Sequence, residues 1–487
     1  MDTKEKIAHL LRRFGLGAGK LEVEKYSKYS LDAAIERLIH YEKIEEPFEV
    51  SPWEFVVQQD KKTLALDPYK IAAWWAVRMV LTQRPLQHKL ALFWHDHFAV
   101  SGAKVDFGPM MLQYLETLLQ HANGNFRTLL GAISRNPAMM RWLDNDTNVK
   151  KNPNENFSRE LLELFTLGIG NYTENDVKEV ARAFTGWFIF YTVSPGFAQS
   201  IEEQVREAVL QGRSITHFAV NPEAHDNDEK TILGKKANFD GGQVLDILAE
   251  HPKTANNITR KLWEWFAYPN PEKHVQEKLE RAYFDGKYEI KKVLEAIVET
   301  DEFWSSKCVR TKIKSPVDFS IALLRQVDIS PLMSFLRKPD ATPFTPPNPI
   351  LVAVGHLLIF SMQIQGMLLL YPPDVGGWEW GHAWIESGAM MERIRTAEHF
   401  FGDENDPRLS EFIAGRIKEA NPSDVESAVR AILDYYDAAL PEDKIRTLVK
   451  AAEKAGGLEA LSNPKSASKL FRSVCRLLFA APEFHFV

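Results

Sequence analysis

The chain has 487 residues, 45% of them hydrophobic, ample for a large core and, on length alone, for two to four domains. A formal charge of -7 and a pI near 6.1 supply no basic field for nucleic acid or an anionic membrane. The two cysteines, Cys308 and Cys475, have no cysteine neighbours, which argues against a disulfide framework and a thiolate zinc site.

The N-terminal stretch MDTKEKIAHLLRRFGLGAGK is charged throughout and lacks the apolar run and small-residue cleavage site of a signal peptide, so a cytoplasmic chain is expected. His9 to Phe14 begins an amphipathic helix that ends in Gly15-Leu16-Gly17. No strand precedes those glycines, and a phosphate-binding loop needs one, so they read as a turn. Leu31 to Ile39 is a second short helix. Pro68 to Leu81 is apolar nearly all round, the mark of a buried helix.

Pro85 opens the next helix at the position where proline is tolerated. Leu86, Leu90, Phe93 and His97 share one face of it; His88, Leu92 and His95 share another. Residues two apart on a helix point away from each other. His95 and His97 therefore bind one ion together only if the helix unwinds near Trp94. Otherwise one reaches a site and the other packs, although histidine flanking Asp96 suits a metal ligand or general base. Three stretches, Phe126–Leu143, Ile290–Trp304 and Leu470–Phe484, share one form: an apolar helix, a polar or proline break, then a bulky apolar residue. Asp144, Asp146, Asn148 and Glu155 occupy four positions of a calcium-loop pattern. Val149 stands where the sharp turn needs glycine and Pro153 intrudes, so an Asn-rich capped connection is the competing reading.

Asn152 to Trp187 holds two helices. Asn154 or Asn156 can cap the first, and Gly168 stops it. Thr173 caps the second, with Asp176 completing a weak capping box. Glu160 and Glu163, three apart, are neighbours on the helix surface. Two adjacent carboxylates on an otherwise apolar helix call for a cation, and His95 or His97, protonated or metal-bound, is expected to approach them. Pairing with Arg159, Arg182 or a distant arginine is the structural alternative. Beyond Trp187, Phe188–Val193 reads as a strand and Gln199–Gln211 as a polar excursion. Ile215–Val220 and Thr231–Leu233 read as two strands joined across a loop that carries His225 and Asp226. Gly241–Ala249, Ala255–Phe266 and Ile290–Val298 return to helix. Ile350–Leu370 is long enough to span a bilayer, yet His356, Gln363 and Gln365 fit a protein interior better. Leu332–Pro349 is an irregular, proline-rich connection. Pro372–Trp378 (PPDVGGW) is a rigid turn that either lines a pocket mouth or directs the chain. From Met391 onward the chain is helical, polar and lysine-rich.

Several of these stretches together resemble the large bacterial family catalogued as domain of unknown function 1800: LLRRFGLGA, LALFWHDHF, NPNENFSRELLELFTLG with NYTENDVKEVARAFTGW, HDNDEKTILG, KSPVDFSIALLR and PPDVGGW. They run from about Arg12 to Trp384. The resemblance implies a family without implying a reaction. Its recurring polar positions fall here on His95, His97, Asn154, Asn156, Arg159, Glu160, Glu163, Tyr172, Asp176, His225 and Asp226. Many relatives carry histidine where this chain has Phe165, and many look exported.

The expected fold is mainly α, a multi-helical array with at most a small hairpin or sheet around 187–234. Residues 1–390 would form the main domain and 391–487 a C-terminal helical subdomain. The expected function is a metal-dependent enzyme, a hydrolase or oxidoreductase, acting on a small-molecule or protein partner, with no nucleic acid and no membrane span. Glu160, Glu163, Arg159 and Tyr172 would be catalytic, and Asn154, Asn156 and Asp176 would hold a cofactor. His95, His97, His225 and Asp226 would bind iron, manganese or zinc, as histidine with carboxylate suits these metals. A non-catalytic helical scaffold and a haem-dependent oxidase are the alternatives.

Overall fold

Helix starts in this chain are written in its polar residues. Asp2 with Glu5, Thr173 with Asp176, Ser200 with Glu203 and Ser315 with Asp318 each close a reciprocal capping box, satisfying backbone N–H groups that a first helical turn leaves unpaired. Proline occupies the first turn of the helices Pro68–Leu81, Pro85–His97, Pro252–Phe266 and Pro349–Ile364. The computed structural model describes residues 1–56, 66–194, 199–333, 341–402 and 406–487; part of the connection expected at Leu332–Pro349 lies outside them. The fold is mainly α, with two small antiparallel sheets of two strands each among the described residues.

The Pro68–Leu81 helix is the buried one its composition demands, with Ile71, Trp75, Val77 and Met79 inaccessible to solvent. Its alanines let the Pro349–Ile364 helix pack closely across it. A Cβ at Gly355 would come 2.8 Å from the Ala73 carbonyl oxygen, so only glycine permits that approach. No helix among the described residues is long and apolar enough to cross a membrane. Arg12 and Arg310 both pair with Asp437, at 2.8 and 2.7 Å, tying the first helix and the middle of the chain to its C-terminal helices.

The strands pair differently from the expected hairpin. β1 (Trp187–Tyr191) runs antiparallel to β2 (Thr216–Val220), with Trp187 opposite Val220 and Tyr191 opposite Thr216. The polar excursion between them folds as the helix Ile201–Leu210 behind its own capping box. β3 (Lys230–Ile232) pairs with β4 (Lys235–Ala237) and not with β2. The cause is local: Leu233 and Gly234 have φ of 49° and 77°, the left-handed pair of a tight two-residue turn that folds the chain straight back on itself.

Candidate active-site cavity

The Pro85–His97 helix ends in His95-Asp96-His97, and successive helical side chains point about 100° apart. Each of the three consequently takes hold of a different segment. Nε2 of His95 accepts the Leu370 N–H at 3.0 Å. Its Nδ1 must then carry the proton, which it donates to the Tyr114 hydroxyl at 2.8 Å; that hydroxyl donates to the Phe98 carbonyl at 2.8 Å. His95 is fully buried and fully satisfied, and burial holds its pKa down to about 3. Asp96 accepts the Trp378 N–H and the Trp380 indole N–H, both at 2.9 Å. The PPDVGGW turn thus lies on the aspartate, and a Cβ at Gly377 (φ 86°) would sit 2.4 Å from its Oδ1.

His97 reaches the helix of the NENFSRELLELF motif through that helix's backbone. The α-helix Asn156–Glu160 widens into a π-helix over Leu161–Thr166, a distortion often found at functional sites. The carbonyls of Leu164, Phe165 and Thr166, at its C-terminal end, are all taken by side chains from elsewhere. Lys261 donates to Leu164 at 3.3 Å, His97 Nε2 to Phe165 at 3.1 Å and Asn257 to Thr166 at 2.9 Å. A carbonyl only accepts, so His97 carries its proton on Nε2. Its Nδ1 accepts from the Lys261 ammonium at 3.1 Å. Burial, with the Lys261 charge beside it, keeps this imidazole neutral.

These groups line one cavity of about 780 Å³, shared by Asp96, His97, Lys261, Lys312, Glu264 and the indoles of Trp265, Trp378 and Trp380. Its volume suits a small organic molecule. Lys312 donates to the Trp265 carbonyl and lies over the Trp265 and Trp380 rings, 4.9 and 5.4 Å from their centroids. Desolvation raises the Asp96 carboxyl to about 6, against the pull of its two N–H donors and the two lysines. Desolvation likewise lowers Lys261 to about 8 and Lys312 to about 7. One wall therefore carries a carboxyl and two amines that all titrate near neutrality, where proton transfer in either direction is cheap.

The profile of the family described as "Protein of unknown function (DUF1800)" matches residues 9–486, nearly the whole chain. The chain belongs to the DUF1800 family. Neither curated proteins nor solved structures give a match. The cavity accordingly has to be read from its own chemistry, as do the other polar residues of the DUF1800 motifs.

Most of those residues lie in ion-pair and turn networks. Arg159 pairs with Glu174 at 2.7 Å and with Glu155 at 3.4 Å. Tyr172 donates to Glu163, and burial together with that carboxylate pushes the phenol up to about 12. Glu160 is half-buried, its carboxyl raised by desolvation and by Glu163. Asn154 accepts the Asn156 N–H at 3.0 Å and donates to the Asp144 carbonyl at 3.3 Å, while Asn156 opens the helix. Asp176 closes its capping box and accepts the Leu233 N–H at 2.7 Å. His225 Nδ1 donates to the Thr185 carbonyl at 2.9 Å, and Asp226 is held by Arg182 at 2.7 Å. Asp144, Asp146 and Glu155 of the calcium pattern pair separately with Lys104, Arg141 and Arg159. Among the described residues no three His, Cys, Asp or Glu side chains gather as a metal set. Sequence reasoning missed Lys261, Lys312, Trp265 and Trp380. One signal was present: Asn257 and Lys261 stand one helical turn apart on the face that continues to Trp265.

Proposed function

We propose that this DUF1800 protein is an enzyme acting on a small organic molecule bound in the cavity, with Asp96, Lys261 and Lys312 as its proton-transfer groups. The observation that carries this reading is the Lys261–His97 hydrogen bond at the cavity wall. It fixes an amine of lowered basicity beside a neutral imidazole, with a carboxyl of raised pKa on the preceding residue. Groups whose surroundings bring their pKa values near the working pH are suited to act as acid and base. His97 would serve as the positioning residue: its Nδ1 accepts from the amine and its Nε2 is anchored on Phe165. The expected histidine–carboxylate metal is no part of this reading, since all four ring nitrogens of His95 and His97 have protein partners.

The test is a thermal-shift screen of small organic molecules, followed by variants. Compounds that stabilise the wild-type protein should lose their effect in Lys261→Met and Trp380→Ala and keep it in Glu163→Gln. The opposite pattern would move the site to the motif helix and overturn the reading. A second reading, a non-catalytic scaffold, is favoured by one specific observation: Arg159 and Arg182 gather Glu155, Glu174, Glu179 and Asp226 into networks that brace the motif helices. A screen without cavity-dependent stabilisers would favour it.

A further inference from the structure

The charges on the cavity wall do not balance. Lys307 is closed off by Glu272 at 2.6 Å, and Glu264 by Arg260 at 2.8 Å. Lys261 spends hydrogens on His97 and the Leu164 carbonyl, and Lys312 on the Trp265 carbonyl. An ammonium has three to give. Among the described residues neither lysine has a carboxylate at ion-pair distance. Asp96 is near enough for its charge to favour both ammoniums, but it is not at ion-pair distance from either, and each of its oxygens accepts one N–H, from Trp378 and Trp380. With His97 neutral, the wall presents two cations against one anion, in surroundings where an uncompensated charge is costly.

We infer that the cavity binds a small organic acid, its single carboxylate on the Lys261 and Lys312 ammoniums and its flat apolar body against the indoles of Trp265, Trp378 and Trp380. This rests on the cavity being the functional site. One negative charge completes the wall. A phosphate dianion would overcompensate it, and among the described residues the lining has no arginine to grip it. The indole faces supply apolar area without conformational entropy to lose, and Trp265 and Trp380 already stack edge to face at 4.2 Å as one surface.

Isothermal titration of the full chain with 3-phenylpropanoate, 3-phenylpropan-1-ol, 3-phenylpropylamine and 3-phenylpropyl phosphate tests this. The carboxylate should bind at least about tenfold more tightly than the alcohol, because a charge-assisted hydrogen bond is at stake. Lys312→Met keeps the length of the side chain and removes the charge. It should weaken the carboxylate about 10- to 100-fold and leave the alcohol within about twofold. Lys261→Met gives the same contrast from the other ammonium should the first variant fold poorly by circular dichroism. Equal binding of carboxylate and alcohol, tighter binding of the amine or the phosphate, or equal loss of carboxylate and alcohol in Lys312→Met would overturn the organic-acid assignment. Those results leave the cavity as the site provided Trp380→Ala abolishes binding. No binding of any probe at millimolar concentration, or binding indifferent to Trp380→Ala, overturns both readings.

Discussion

The motif helices and the cavity use the same residue types to opposite ends. Around Asn154–Arg182 the two arginines stand at or near the surface, each facing opposite charges a few residues away or across one loop; Arg159 is 35% and Glu174 69% exposed. Water and nearby partners cancel such charges, and what remains is local bracing. In the cavity Asp96, Lys261 and Lys312 come from three distant segments, are desolvated, and share no direct ion pair. Their charges are left for something else to complete. Density of polar residues in the sequence therefore marks where the chain is braced, whereas chemistry is indicated where polar groups meet with their hydrogen-bonding capacity unspent.

The sharpest way to break this comparison is to lift the PPDVGGW turn off Asp96. Gly377→Ala puts a Cβ 2.4 Å from the Asp96 Oδ1 and 2.6 Å from its backbone oxygen, in a left-handed conformation. We expect a loss of about 3 kcal/mol or more in urea unfolding, from strain and clash together. Cavity ligands should be lost as well, since Trp378 moves with the turn. Asp96→Asn is milder. The amide keeps one acceptor but turns N–H donors toward an N–H, leaving one of the two tryptophan donors unpaired, at about 1–3 kcal/mol. A variant as stable as wild type would mean that Asp96 does not hold the turn.

Much of this was legible in the sequence. Pro85 and Thr173 gave the starts of their helices, the apolar circumference of Pro68–Leu81 gave its burial, and the spacing of His95 and His97 placed them on different faces. Three things were not. A π-helix inserts one residue into a turn without changing which residues are apolar, so a period of 3.6 does not reveal it over Leu161–Thr166. The β3 partner depended on a two-residue turn at Leu233-Gly234 that carries no strong turn signal on its first residue. Lys261 lies 164 residues from His97, and the one local signal in NITRKLWEWF, the shared face of Asn257, Lys261 and Trp265, does not say which partner that face meets. Only packing shows it.

On the motif side, Arg182→Met should cost about 1–2 kcal/mol, because Asp226 and Glu179 lose a shared, partly buried partner. Ligand binding in the cavity should not change; a change would show that bracing and site are coupled. The effect of Lys312→Met depends on pH, and its sign follows from burial. The folded-state pKa lies near 7 and an unfolded lysine titrates near 10.4. Below about pH 7 both states are protonated and the folded one carries the full cost of desolvation; above about pH 10 neither is charged. Wild-type stability should therefore gain from this group as pH rises between those limits. The methionine variant should exceed wild type most near pH 6 and least near pH 9.5, as urea midpoints at the two values will measure.

The smallest effect is expected at a residue that the sequence offers both as a catalytic candidate and as an ion-pair partner. Arg159 stands in the centre of NENFSRELLELF and makes a two-pronged contact with Glu174, at 2.7 and 2.8 Å. Two short charge-assisted hydrogen bonds would be strong in a dry interior. Here Glu174 is largely in solvent, and holding two long side chains in one geometry costs entropy that offsets most of the attraction. Arg159→Ala should shift stability by no more than about 0.5 kcal/mol, with a contribution that fades as salt is raised. Cavity ligands should bind Arg159→Ala as they bind wild type. A loss of binding at unchanged stability would place Arg159 in a functional site, and the contrast between a bracing surface and the cavity proposed as the site would fail at its clearest point.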